Sequence, residues 1–182
     1  MSVRRSQVVA LMSLLVALAS GCQAPSSNSS TAAPAADAQG AANKATLTRF
    51  MDAMSQGDTT IVDSTVTEGI VDHQAMPGMA PGREGLKAMM TQFHAAFPDL
   101  KITVKDMTAD GDKVWVRSTM TGTMKGEFMG MKPTGKSLDL EGFDLVRFEN
   151  GKMAEHWGVQ DNMSMMQQLG VTPPDMAAKK HS

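Results

Sequence analysis

The chain has 182 residues, with 17 basic and 19 acidic side chains and a formal net charge of −2. It has no basic stripe, no tyrosine and two tryptophans, so nucleic acid is not expected as a partner. Cys22 is the only cysteine, which rules out an intrachain disulfide and a Cys-rich zinc site.

Arg4 and Arg5 precede an apolar run, Val8 to Ala19, that is short for a membrane span. Leu18-Ala19-Ser20-Gly21-Cys22 then sets small residues directly before a cysteine and resembles a bacterial lipobox. The resemblance implies a signal peptide over residues 1–21, cleavage before Cys22 and lipidation of Cys22, with several acyl chains giving a firm membrane anchor. By the habit of the lipoproteins it resembles, Gln23 rather than Asp after the cysteine implies an anchor in the cell envelope, on the periplasmic face of an outer membrane where there is one. The alternative is an ordinary signal peptide with an incidental cysteine. Residues 22–43 are almost entirely Ser, Ala, Pro, Gln, Asn, Thr and Gly. They read as a disordered tether, because they cannot bury enough apolar surface to offset ordering entropy. Its mean reach is about 25 Å.

Residues 44–170 make one domain, and 171–182 a flexible tail. Ala45 to Gln56 predicts a helix, with Leu47, Phe50, Met51 and Met54 on one face and Gly57 closing it. Asp58 heads a short second helix through Ser64. Thr65 to Val71 predicts a short strand leading into Asp72-His73-Gln74. Residues 76–82 form a Pro- and Gly-rich loop. Arg83 to Phe97 is the main helix, stopped by Pro98. Leu100 to Met107 and Lys113 to Thr123 are strands around the turn 109–112, and residues 126–136 form a loop rich in Gly and Met. Leu140 to Phe148 and Met153 to Gln160 form a hairpin about Glu149-Asn150-Gly151-Lys152, where Asn-Gly supplies the positive φ angles of a tight turn. A short helix follows from Asn162. Helices followed by a meander of long strands define the α+β class, with a curved antiparallel sheet closed by the N-terminal helices.

The hairpin carries polar, ionisable residues among large apolar ones, as a sheet does when it lines a cavity. Asp144 and His156 lie six residues either side of Asn150, so they are expected roughly level across the hairpin. Such a pair can take a proton from an acidic C–H and return it elsewhere, with no metal or cofactor. His73, at the end of the first strand, is a third candidate. Each histidine has an alternative reading as a hydrogen-bonded wall residue. Trp157, Trp115, Phe143 and Met129 are candidate ligand-contacting walls. Asp161 either joins them or caps the last helix. The chain holds 18 methionines. Met76, Met79 and His73 form a remote candidate set for Cu(I), against the alternative that methionine fills irregular cores.

The run Phe148-Glu149-Asn150-Gly151-Lys152-Met153-Ala154-Glu155-His156-Trp157, followed by Asp161 and Gln168-Leu169-Gly170, resembles the C-terminal signature of SnoaL-like polyketide cyclases. Pro81-Gly82-Arg83-Glu84-Gly85 and Met129 to Lys136 fit the same family. The resemblance implies the cone-shaped half-barrel of the nuclear-transport-factor-2-like group. It also implies pairing of two copies through the outer sheet face, and a small apolar carbonyl-containing molecule as partner. It implies an aspartate acid/base at position 158 and a histidine at 144, where this chain has Gly158 and Asp144. Either the carboxylate of Asp144 substitutes, or the domain binds its ligand without turnover.

Overall fold

Asn150 and Gly151 adopt φ of 50° and 75°, and this two-residue turn folds β4 (Ser137–Glu149) back onto β5 (Lys152–Gln160). The computed structural model describes residues 32–75 and 78–170. The expected signal peptide, Cys22, the first part of the expected tether, Met76 and the expected tail lie outside the described residues.

Ahead of the hairpin come α1 (Ala32–Gln56), α2 (Ile61–Thr65), β1 (Val66–Asp72), α3 (Gly82–Ala96), β2 (Lys101–Asp110) and β3 (Lys113–Thr123); α4 (Asn162–Gln168) follows it. The strands form one open sheet in the order β1-β5-β4-β3-β2. From β2 to β5 the neighbours are antiparallel, as the meander predicts. The first strand differs: β1 runs parallel to β5, so the sheet is mixed. A parallel neighbour requires a long crossover, and α3 with the whole meander supplies it.

The first helix begins ahead of residue 44. Helix α1 starts at Ala32, and Asn43 is buried and accepts from Gln39 Nε2 at 2.8 Å. A Cβ on Gly40 would lie 3.0 Å from the Ala109 side chain, so α1 rests closely on β2 there. The alanines that make residues 32–43 look featureless are also strong helix formers. Packing of the following turns on the sheet extends the helix through them.

Helices α1 and α3 lie over the concave face. Leu47, Val62, Val66, Met90, Val114 and Phe148 form one buried cluster. Phe97, Leu100, Met124, Phe128, Leu138 and Leu169 form a second at the other end.

One irregularity in the hairpin decides what faces inward. Phe148 pairs with Met153, but Arg147 pairs with Glu155, leaving Ala154 as the extra residue of a β-bulge. Strict alternation from the buried Met153 would turn Glu155 and Trp157 inward. The bulge reverses the alternation, so His156, Gly158 and Gln160 take the concave side instead.

Candidate acid–base site

Between the sheet and helices α1 and α3 lies a hollow of about 1120 Å³. Phe50, Met54, Leu86, Met89 and Phe93 form much of its helical wall, and the sheet supplies its few polar groups.

At its floor three side chains from three strands converge. Val146 pairs with His156 and Asp144 with Gly158, so Asp144 and His156 are diagonal neighbours on one face rather than level partners. Asp72, on the parallel strand β1, is in register with His156. The imidazole lies between two carboxylates: Nδ1 donates to Asp72 Oδ1 at 2.9 Å, and Nε2 donates to Asp144 Oδ1 at 3.2 Å. The side chains of His156, Asp72 and Asp144 are 28, 18 and 13% exposed.

Burial by itself pulls the His156 pKa down. The hydrogen bonds to Asp144 and Asp72 and the two negative charges outweigh it and raise the pKa to about 9. The ring is therefore an imidazolium at neutral pH, with both N–H groups committed. Burial pushes Asp72 upward, but hydrogen bonds from His156 and the Gln74 amide, with the imidazolium charge, hold it below its ordinary value. Asp144 gives one oxygen to His156. No described residue hydrogen-bonds its Oδ2, and Asp144 lines the hollow. Asp72 also accepts only at Oδ1 and lines the hollow, but it takes two hydrogen bonds, from His156 and the Gln74 amide, so Asp144, held by one, is the freer carboxylate to meet a ligand. His156 and Asp72 hold it in position.

Gly158 makes this arrangement sterically possible. A Cβ there would lie 2.7 Å from Asp144 Oδ1, 2.9 Å from Gln74 Oε1 and 3.3 Å from His156 Nε2. The space beside position 158, where the resemblance expects an aspartate side chain, holds the carboxylate of the facing strand.

The other expected residues go elsewhere. His73 is at the rim of the hollow, but its ring stacks on Trp157 at 4.6 Å and 7°, and its Nε2 donates to Glu155 Oε1 at 2.9 Å. Glu155 also accepts from Arg147 Nε at 2.8 Å. Trp115 and Phe143 are 51 and 53% exposed. With Trp157 they alternate with the inward residues of their strands, so these three aromatic rings lie on the convex face and do not line the hollow. Met129, with φ 51°, lines the hollow from the loop after β3. Asp161 caps α4, its Oδ1 accepting from Ser164 N at 2.8 Å. Of the copper set, Met79 lines the hollow, the His73 ring is held by Trp157 and Glu155, and Met76 lies outside the described residues. Among the described residues no three His, Cys, Asp or Glu side chains are grouped to hold a metal ion.

Sequence reasoning passed over Asp72. Its signal was present in Asp72-His73-Gln74, but only the pairing of β1 with β5 reveals which of the three faces His156.

An α+β half-barrel of this form, with helices over the concave face and a carboxylate–imidazole pair at its floor, defines a cyclase-like class of domain. The chain belongs to the SnoaL-like polyketide cyclase family, whose model matches residues 44–169. It is similar to TsrD from Streptomyces laurentii, with 26% identity and a TM-score of 0.68 over 72% of this chain and 97% of that one. It is similar to IdmH from Streptomyces antibioticus, a proposed polyketide cyclase, with 33% identity and a TM-score of 0.61 over 71% and 99%. A proposed polyketide cyclase from Bacillus cereus shares 30% identity, with a TM-score of 0.64 over 72% and 83%. No curated protein matches the chain.

Proposed function

We propose that the protein is an exported, lipid-anchored acid–base catalyst of the cyclase or isomerase type, acting on a small, largely apolar carbonyl compound bound in the hollow. The observation that carries this reading is the open Oδ2 of Asp144, held by the His156 imidazolium and facing an apolar volume. Asp144 takes a proton from the carbon next to a carbonyl. The C–H bond breaks, an O–H bond forms on Asp144, and the electron pair passes into the enolate. Asp144 then returns the proton to another atom of the same molecule after ring closure or isomerisation. His156 stays charged while Asp144 carries the proton, because Asp72 still pairs with its Nδ1. Its positive charge steadies an enolate formed nearby. No cofactor enters this chemistry.

The test is turnover of a β-keto ester or a related carbon acid. Asp144→Asn removes the base while keeping the shape, and activity should be lost with the fold intact. Full activity in that variant sinks the reading.

A second reading is capture of a small hydrophobic ligand without turnover. It is favoured by the commitment of both His156 nitrogens, which leaves only the two carboxylates of the trio to move a proton. A co-purified organic ligand seen by native mass spectrometry, with no turnover of any carbon acid, supports it over catalysis. A Cu(I) site at Met76, Met79 and His73 is a remote third, tested by thermal stabilisation with Cu(I) but not Zn(II). The proposed anchor at Cys22 is tested by membrane fractionation: Cys22→Ala should release the protein from the envelope membrane.

A further inference from the structure

Two inward polar side chains take no part in the trio. Ser118 on β3 is 93% buried and lines the hollow, and its hydroxyl has no hydrogen-bond partner among the described residues. Gln160 on β5 also lines the hollow, and its amide is likewise unpartnered among the described residues. The sheet register sets the two in one row. Ser118 pairs with Gly142, and Gly142 pairs with Gln160. The neighbouring row is Val116, Asp144 and Gly158.

Gly142 is the centre of the first row. A Cβ there would lie 3.1 Å from Gln160 Cγ and 3.6 Å from Gln160 Nε2. Gln160 therefore lies folded across β4 toward Ser118, over a backbone without a side chain. A buried hydroxyl and a free carboxamide flank one patch of bare strand. Neither group is sealed from the hollow, so both are open to a ligand held there.

We propose that Ser118 and Gln160 form the seat for the ligand's carbonyl oxygen, each donating a hydrogen bond to it. This rests on the acid–base reading and adds the group that the base alone lacks. When Asp144 removes the α-proton, charge collects on the carbonyl oxygen, and two aimed donors stabilise it there. Successive inward positions on a strand are about 7 Å apart. A carbonyl oxygen and its α-carbon are two bonds apart. With a hydrogen bond at one end and a proton in transfer at the other, they span the gap between the two rows. The seat selects ketones and esters whose α-carbon lies on the Asp144 side, and it disfavours hydrocarbons and alcohols of equal size.

The probes are 2-tetralone, whose α-proton exchange in D₂O is followed by NMR, and 2-naphthol, a stable mimic of its enol, whose binding is titrated by fluorescence. The variants are Ser118→Ala, Gln160→Leu and Asp144→Asn, each checked for an unchanged melting temperature. Asp144→Asn should abolish exchange yet still bind 2-naphthol. Ser118→Ala and Gln160→Leu should each slow exchange about tenfold or more, and each should weaken 2-naphthol more than 2-tetralone. Loss of exchange in Asp144→Asn with wild-type rates in both seat variants overturns the seat and leaves the base. Undiminished exchange in Asp144→Asn overturns the base, and the seat then stands or falls on the 2-naphthol titration. A wild-type protein that binds no 2-naphthol overturns the seat outright.

Discussion

His156 Nδ1 lies 2.9 Å from Asp72 Oδ1 across the parallel junction between β1 and β5. This contact commits the ring nitrogen that Asp144 does not use. It keeps the imidazole charged and its plane fixed, so the position of the Asp144 carboxylate depends on a strand that reaches it only through the crossover.

The trio makes stability depend on pH in a defined direction. Folded His156 keeps its proton up to about pH 9, whereas its unfolded pKa is about 6.5. Its contribution is fully present below about pH 6.5 and is lost as pH rises through 9, on the order of 3 kcal/mol in all. Asp72, with its pKa lowered from 3.8, contributes above the ordinary carboxylate range and loses that contribution as pH falls further. Urea denaturation from pH 3 to 10 should show a plateau near pH 5–6 with a decline on both sides. NMR titration should find the His156 pKa high in the wild type and lower in Asp72→Asn.

Gly158→Ala should cost activity and stability together. Position 158 is an ordinary strand position without positive φ, so backbone strain is not the cause. The added methyl meets Asp144 Oδ1 and Gln74 Oε1 inside 3 Å and pushes the carboxylate off the imidazolium. Overpacking of this kind costs about 1–3 kcal/mol. Chemical denaturation and the exchange assay should fall in parallel.

The two histidines should behave oppositely. His73→Phe keeps a flat ring on Trp157 and loses one exposed hydrogen bond to Glu155, so activity should change little. His156→Phe leaves Asp72 and Asp144 facing one another unpaired. It should destabilise by about 3 kcal/mol or more and abolish exchange. Equal effects from the two variants would contradict the placement of His73 at the rim, outside the trio.

The convex face carries Val71, Trp115, Phe143 and Val159, which are 50 to 70% exposed. We propose that this face joins two copies of the chain. Val159→Asp, at the most exposed of these positions, should convert a dimer to a monomer in analytical ultracentrifugation while the melting temperature of the isolated fold changes little. A wild-type protein that sediments as a monomer at tens of micromolar removes the proposal.

The secondary structure was largely legible because each element has a local signature. Asn150-Gly151 marks the hairpin, Pro98 stops α3, and the apolar spacing of Leu47, Phe50 and Met51 marks α1. Three features were not legible. The bulge at Ala154 has no signal in composition, yet it decides whether His156 or Trp157 faces inward. Period-2 reading left Trp157, Phe143 and Trp115 as candidate walls because aromatic residues fit a pocket as well as an exposed interface. The parallel pairing of β1 is a long-range fact, and Asp72 became visible only through it. The start of α1 at Ala32 was hidden for a different reason: an alanine-rich segment folds or not according to what it leans on.

The strand order has a consequence for how the molecule is made. Asp72 lies on the first strand and His156 on the last, with the meander synthesised between them. Contacts of such sequence separation are slow to close because loop entropy is lost before they form. The floor of the hollow is therefore among the last parts of the chain to become whole, and a nascent chain halted before β5 has the walls of the vessel without its base. A protein that leaves the cytoplasm unfolded would acquire its chemistry only at its destination.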